Sequence, residues 1–214
     1  MVEMVEKLIY LHGFNSASMD DEGNLIASKT KLQLLSQFCE EQNIIFTAPN
    51  LDYRDPLAVV DQLTDLAEEL DVHASFNDMT FIGTSLGGFM AEIMAMKTHT
   101  GAIMINPAIN PSRSLVRSIG KCRNYVTGEE YVWTQKNCDA FKILEQDSTG
   151  NCYDAIPRTI ILDLGDEILD ARETIKKYEG KVGLHVFEGG SHRFDHMKEA
   201  MPAISDAVKS VTFV

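Results

Sequence analysis

A serine becomes a useful nucleophile only when its hydroxyl stands clear of the chain and a base lies within hydrogen-bond reach. Residues 81–89, FIGTSLGGF, offer such a serine, because Gly83-Thr84-Ser85-Leu86-Gly87 fits G-x-S-x-G. The apolar run MTFIGT precedes Ser85 and the helical pattern LGGFMAEIMAMK follows it. A strand–turn–helix elbow of this kind lifts the hydroxyl above the edge of a sheet, and the flanking glycines relieve crowding around it. The turn also aims backbone N–H groups at the serine, with the positive end of the helix behind them.

Six histidines compete for the role of base. His185 lies inside a strand-like run and reads as structural, while His73 and His99 lie at helix ends and read as exposed or capping residues. His12 belongs to the turn LHGFNS after the first apolar run. His192 follows EGGS after the last strand-like run, where a loop over the sheet edge would carry it towards Ser85. His196 opens the final helical pattern and is the weaker candidate. His192 is therefore the expected base.

A carboxylate must hold the imidazole tautomer and stabilise its protonated form. LDLGDEILDARE supplies Asp163, Asp166, Glu167 and Asp170. Asp163 is inside the strand and short of the loop, and Asp170 with Glu173 makes a D-x-x-E start for the next helix. Asp166, just past Gly165, is the best-placed acid, and the order Ser85, Asp166, His192 is that of α/β-hydrolases. The oxyanion of a tetrahedral intermediate needs donors, for which the backbone N–H groups of Leu86 and Phe14 are expected. Ser16 and Ser18 follow in the same loop, and nothing in the sequence assigns them a part.

The elements that must position these groups alternate. Strand-length apolar runs stand at 7–13, 43–49, 79–85, 101–107, 158–165 and 182–190. Helical patterns at 25–42, 56–70, 86–97, 170–180 and 196–211 fall between or after them. The alternation predicts one α/β domain over residues 1–214: a three-layer fold with a mostly parallel six-stranded sheet of order 2-1-3-4-5-6. The cleft should open at the carboxyl ends of the strands. One connection, 108–157, is far longer than the rest and carries Tyr125, Tyr131, Trp133, Phe141 and Tyr153. So long an excursion is expected to be a cap or lid over the cleft. Trp133 and Phe141 in it, together with His12, are further candidates to touch substrate, the alternative being that the aromatics only pack the excursion onto the body.

Composition narrows the partners. The formal charge of −13 and the absence of a Lys/Arg cluster exclude the usual footprint of a nucleic-acid binder. MVEMVEKLIYLHGF has neither the basic flank nor the length of a signal peptide, and no apolar run reaches the roughly 20 residues of a membrane span. Cys39, Cys122, Cys138 and Cys152 are dispersed, without metal-site spacing, as expected of incidental thiols in a reducing cytoplasm. The expected partner is a small molecule, and no metal or cofactor is called for.

The elements YLHGFNS, GTSLGGF, INPAINP, YVTGEEY, GDEILD and EGGSHRF, in that order, resemble the small bacterial esterases of the YqiA type within the α/β-hydrolase superfamily. The similarity runs over nearly the whole chain and is weakest in 15–75. It implies a cofactor-free esterase cleaving acyl esters or thioesters, with Ser85 as nucleophile, Asp166 as acid and His192 as base. Two other readings use the same scaffold: peptide or lactone hydrolysis, and a binding protein without turnover.

Overall fold

Strands buried on both faces must be apolar along their whole length, and that is how the central runs read. The computed structural model describes residues 6–26, 30–70, 78–147 and 156–210. His73, Cys152, Tyr153 and the first five residues lie outside them. The main sheet contains β1 (Lys7–Leu11), β2 (Ile45–Thr47), β3 (Met79–Thr84), β4 (Gly101–Ile105), β7 (Arg158–Asp163) and β8 (Gly183–Phe187). Its order is β2-β1-β3-β4-β7-β8, and every pairing is parallel. This is the order expected from the six apolar runs.

Helices cover both faces. α2 (Pro56–Leu70) and α3 (Leu86–Thr98) pack on one face, and α1 (Thr30–Gln42) and α7 (Met197–Ser210) on the other. α6 (Ala171–Tyr178) joins the first pair beneath β4 and β7. The period of two along a strand divides the core: Ile103 and Ile105 of β4 face α1 and α7, while Ala102 and Met104 face the opposite layer. α2 begins where its sequence says it should, with Pro56 in the first turn and the Asp55 carboxylate accepting from Ala58 N–H at 3.2 Å.

α3 is the central helix, buried continuously from Leu86 to Ala95. Even Glu92 is inside, paired with Arg158 at 3.1 Å and accepting from the Tyr178 hydroxyl at 2.6 Å. That trio ties α3 to β7 and α6. A buried charge of this kind survives only when it is paired and hydrogen-bonded.

Two elements depart from the sequence reading. The first long helix starts at Thr30 rather than at Leu25. Leu25 instead forms an isolated antiparallel bridge with Met19, across a turn in which the Asp20 carboxylate accepts from the N–H groups of Glu22 and Asn24. A side chain that satisfies nearby backbone donors competes with helix, and here it wins. His185, expected to be structural, is exposed on the edge strand β8.

Between β4 and β7 the chain leaves the sheet. It forms α4 (Pro111–Ser114), a 3-10 turn (Leu115–Ser118), the hairpin β5 (Gly120–Arg123) with β6 (Glu130–Trp133), and α5 (Gln135–Asp147). The hairpin turn docks on the loop after β1: Tyr125 N–H donates to Asn15 O at 2.9 Å and Asn124 Nδ2 to Ser16 O at 3.0 Å. Among the described residues no helix is long and apolar enough to cross a membrane. Cys39 and Cys138 are buried free thiols, and Cys122 is half-buried.

Candidate active site

Ser85 stands alone between the last residue of β3 and the first of α3, at φ 57° and ψ −119°. Positive φ on a side chain with a Cβ costs of order 1–3 kcal/mol and persists only where surrounding bonds over-determine it. They do so here. Ser85 N–H donates to Ile105 O at 2.9 Å, and Ser85 O accepts from Gly88 and Ala108, each at 3.0 Å. The glycines are required by close approach. A Cβ on Gly83 would lie 2.0 Å from Gly87 O, and one on Gly87 would lie 2.0 Å from Leu11 O. The elbow is therefore wedged between β1 and its own helix, with the Ser85 side chain held at the carboxyl edge of the sheet.

His192 reaches that side chain from the turn after β8. Its Nε2 lies 3.0 Å from Ser85 Oγ, and its Nδ1 lies 2.8 Å from Asp166 Oδ2. The Asp166 side chain is 2% exposed, and its other oxygen accepts from the N–H groups of Ile168 and Leu169, each at 2.8 Å. Those two bonds fix the orientation of the carboxylate. With a carboxylate oxygen as its partner, Nδ1 is the ring nitrogen that donates, so Nε2 presents a lone pair to the serine hydroxyl. His192 N–H donates to Glu167 Oε2 at 2.9 Å, and this bond holds the Glu167 carboxyl below the usual range. The three residues singled out from sequence are thus in one hydrogen-bonded chain.

A second set, which sequence reasoning missed, anchors the turn that carries His192. Asp163, at the end of β7, has no exposure. Its carboxylate accepts from Asp195 N–H at 2.8 Å and Ser191 N–H at 3.3 Å, and pairs with His196 Nδ1 at 2.7 Å. That bond to Asp163 raises the His196 pKa above the ordinary histidine value. Asn106, in the INP stretch, accepts from Asp163 N–H at 2.8 Å and donates to Ser191 O at 2.9 Å. Gly190 has φ 71°, and a Cβ there would lie 2.0 Å from Asp163 Oδ2. The signal available in sequence was a pair of polar residues, Asn106 and Asp163, closing otherwise apolar runs. Asp170 does what its D-x-x-E pattern suggested: its carboxylate accepts from Arg172 N–H at 2.9 Å and caps α6.

The loop after β1 passes close to the serine, since a Cβ on Gly13 would lie 3.9 Å from Ser85 Oγ. Leu86, as the first residue of α3, has no carbonyl four residues earlier within the helix to receive its N–H. The Phe14 N–H likewise donates to no protein acceptor among the described residues. His12 is buried and committed. Its Nε2 accepts from Leu51 N–H at 2.9 Å and its Nδ1 lies 2.9 Å from Gly13 O, so the ring shapes the loop rather than offering itself to a ligand.

Trp133 and Phe141, expected to touch substrate, have no exposed surface. Trp133 packs edge-on to Phe14 with centroids 4.7 Å apart, and Phe141 meets Phe89 of α3 at 6.2 Å. They fill the seam between excursion and body because large aromatic faces gain most where two layers meet. Open space lies elsewhere, in a groove that neither of them lines: about 270 Å³ between the loops after β1 and β2 and the β5–β6 hairpin. Among the described residues no group of His, Cys, Asp and Glu is arranged to hold a metal ion.

Solved structures share this fold at low identity. Est1E from Butyrivibrio proteoclasticus aligns at 13% identity over 98% of this chain and 89% of that one, with a TM-score of 0.71. FphF, a fluorophosphonate-binding serine hydrolase of Staphylococcus aureus, aligns at 14% identity over 97% of this chain and 85% of its own, with a TM-score of 0.63. A carboxylesterase structure from the thaumarchaeon Nitrososphaera gargenis aligns at 15% identity over 97% and 91%, with a TM-score of 0.63. The fold is that of the α/β-hydrolases. Over residues 7–209 the sequence matches the model of one family, and the chain belongs to it: the uncharacterised protein family UPF0227.

Proposed function

We propose that the protein is a serine esterase that cleaves acyl esters or thioesters through an acyl-Ser85 intermediate. The observation that carries this reading is the unbroken chain from Asp166 to His192 at 2.8 Å and from His192 to Ser85 Oγ at 3.0 Å. His192 Nε2 takes the hydroxyl proton as Ser85 Oγ attacks the acyl carbon, and Asp166 stabilises the imidazolium that forms. The N–H groups of Leu86 and Phe14 receive the oxyanion, where preorganised donors contribute most because they need not reorient during the reaction. The imidazolium then protonates the departing alcohol or thiol. Water, deprotonated in turn by His192, attacks the acyl-serine and releases the acid. The strain stored at Ser85 fits this role, since such backbone states concentrate at functional sites. In this reading the excursion is a cap that closes the cleft from the hairpin side.

Mass analysis of protein quenched during turnover of a p-nitrophenyl ester tests the intermediate. The reading expects an acyl adduct on the peptide containing Ser85, absent from Ser85→Ala. Turnover by Ser85→Ala at the native rate, with no adduct on the native protein, would contradict it.

A further inference from the structure

The groove beside the Phe14 loop is bounded by polar groups, and their chemistry is specific. Arg54 is fixed from below by Asp52, with Nε to Oδ1 at 2.7 Å and Nη2 to Oδ2 at 2.6 Å, and from the hairpin by Glu129 Oε1 at 2.9 Å. Its guanidinium also lies over the Tyr131 ring, 5.2 Å from the centroid. Each terminal nitrogen carries two N–H groups, so one on each is left for a ligand. Asn15 is held through its Oδ1 by the Tyr131 hydroxyl and through its carbonyl by Tyr125 N–H, which leaves the Nδ2 donors directed at no described residue. Glu129 Oε2 and the Thr127 hydroxyl proton are similarly uncommitted, because Thr127 Oγ1 uses only a lone pair in accepting from Glu129 N–H at 3.3 Å.

Fixed donors and fixed acceptors therefore face the same small space. The three charges, Asp52, Glu129 and Arg54, sum to −1, in a chain of net charge −13. That balance disfavours a phosphate or sulfate. An alkyl chain would strip water from these groups without replacing its hydrogen bonds, which is costly. Vicinal hydroxyls, each able to donate and accept, match the set. The volume of about 270 Å³ sits just below the range of roughly 300–1,000 Å³ typical of small-molecule sites, which suits one ring-sized group. Phe14, whose N–H is assigned to the oxyanion, lines the groove, while Ser85 and His192 do not, so the groove suits a part of the substrate beyond the ester carbonyl.

We infer that this groove is a subsite for a neutral, hydroxyl-rich group of the substrate, about the size of one sugar ring. The inference rests on the serine-esterase reading and narrows it from acyl esters in general to esters of polyhydroxylated compounds. The hydroxyl-rich part can be the alcohol or the acid, and the measurement separates the two.

The test compares kcat/KM for pairs with the same ester and nearly the same number of carbons: methyl glucoside monoacetate against hexyl acetate, and methyl gluconate against methyl hexanoate. A preference of at least tenfold is expected in one of the two pairs, which names the side that occupies the groove. Thr127→Val and Glu129→Gln should each shrink that preference at least threefold, mainly through KM, in protein of native Tm. Native protein with no preference in either pair, or a preference that neither substitution changes, would overturn the subsite. Labelling of the same preparation at Ser85 by a fluorophosphonate separates the two failures. Labelled protein without the preference overturns the subsite alone, whereas protein neither labelled nor active overturns the esterase reading and the subsite with it.

Discussion

Two histidine–aspartate pairs, their histidines four residues apart and their aspartates three, stand at the carboxyl edge of the sheet, and their bonds are nearly equal. His192 meets Asp166 at 2.8 Å and His196 meets Asp163 at 2.7 Å. Both carboxylate side chains are buried and both accept backbone N–H groups as well. What separates them is the far side of each ring. His192 turns its Nε2 to Ser85 Oγ, whereas His196 stacks on Phe187 at an interplanar angle of 10°. A histidine–carboxylate bond is thus insufficient to mark a base. The second ring nitrogen needs a proton to take, and only one pair is given one.

Breaking the pairs separately should sort the two roles by size. Ser85→Ala or His192→Ala should lower kcat by about 10⁴–10⁶-fold, the scale seen when a triad member is removed. Thermal unfolding should show each variant still folded. Asp166→Asn, which keeps the shape but allows the wrong tautomer, should cost about 10⁴-fold in kcat. An Asn variant within tenfold of native would mean that another group orients the ring.

The anchoring pair should give smaller effects of a different kind. Asp163→Ala removes the acceptor for Ser191 and Asp195 N–H and the partner of His196. It should cost about 2–3 kcal/mol of stability, since bonds to a charged group are involved. Loosening the turn should also displace the His192 ring, and a shift of about 1 Å is enough to cost about 10²-fold in rate. Denaturant titration and steady-state kinetics on the same preparation read both effects.

His196→Gln should leave turnover within a few-fold of native, and its cost should depend on pH. The Asp163 bond raises the His196 pKa in the folded protein. The stability gained from protonated His196 is therefore fully present below the unfolded histidine value of about 6.5. It is lost as pH rises through the raised folded value. The Tm difference between native protein and His196→Gln should accordingly narrow from pH 6 to pH 9. A gap that widens with pH would reverse the sign of the coupling.

Much of this site was legible because chemistry and element order constrain each other. Ser85 needed a strand before it and a helix after it, and both were visible as changes in apolar period. Asp166 and His192 followed from the loops after two strand-like runs. The anchoring pair was not legible in the same way. Asp163 looked misplaced inside a strand, and only the fold brings the turn at 189–196 over the end of β7. The hairpin β5–β6 also escaped notice, because GKCR and EYVW are four residues each and half exposed, too short for an apolar run to mark them. Trp133 and Phe141 were placed in the right segment with the wrong partner. Periodicity says that an aromatic will be covered, but the covering surface is a tertiary fact, and here it is Phe14 and Phe89. His185 erred the other way, since an apolar run does not reveal that its strand lies at the edge of the sheet.

The central claim is that one histidine of the two activates Ser85. Fluorophosphonate labelling rates, measured by intact-protein mass on native protein, His192→Ala and His196→Gln, test it in one experiment. Native protein and His196→Gln should gain one adduct at similar rates, mapped to Ser85, while His192→Ala should remain unlabelled on the same timescale. Labelling that survives in His192→Ala and disappears in His196→Gln would contradict the account.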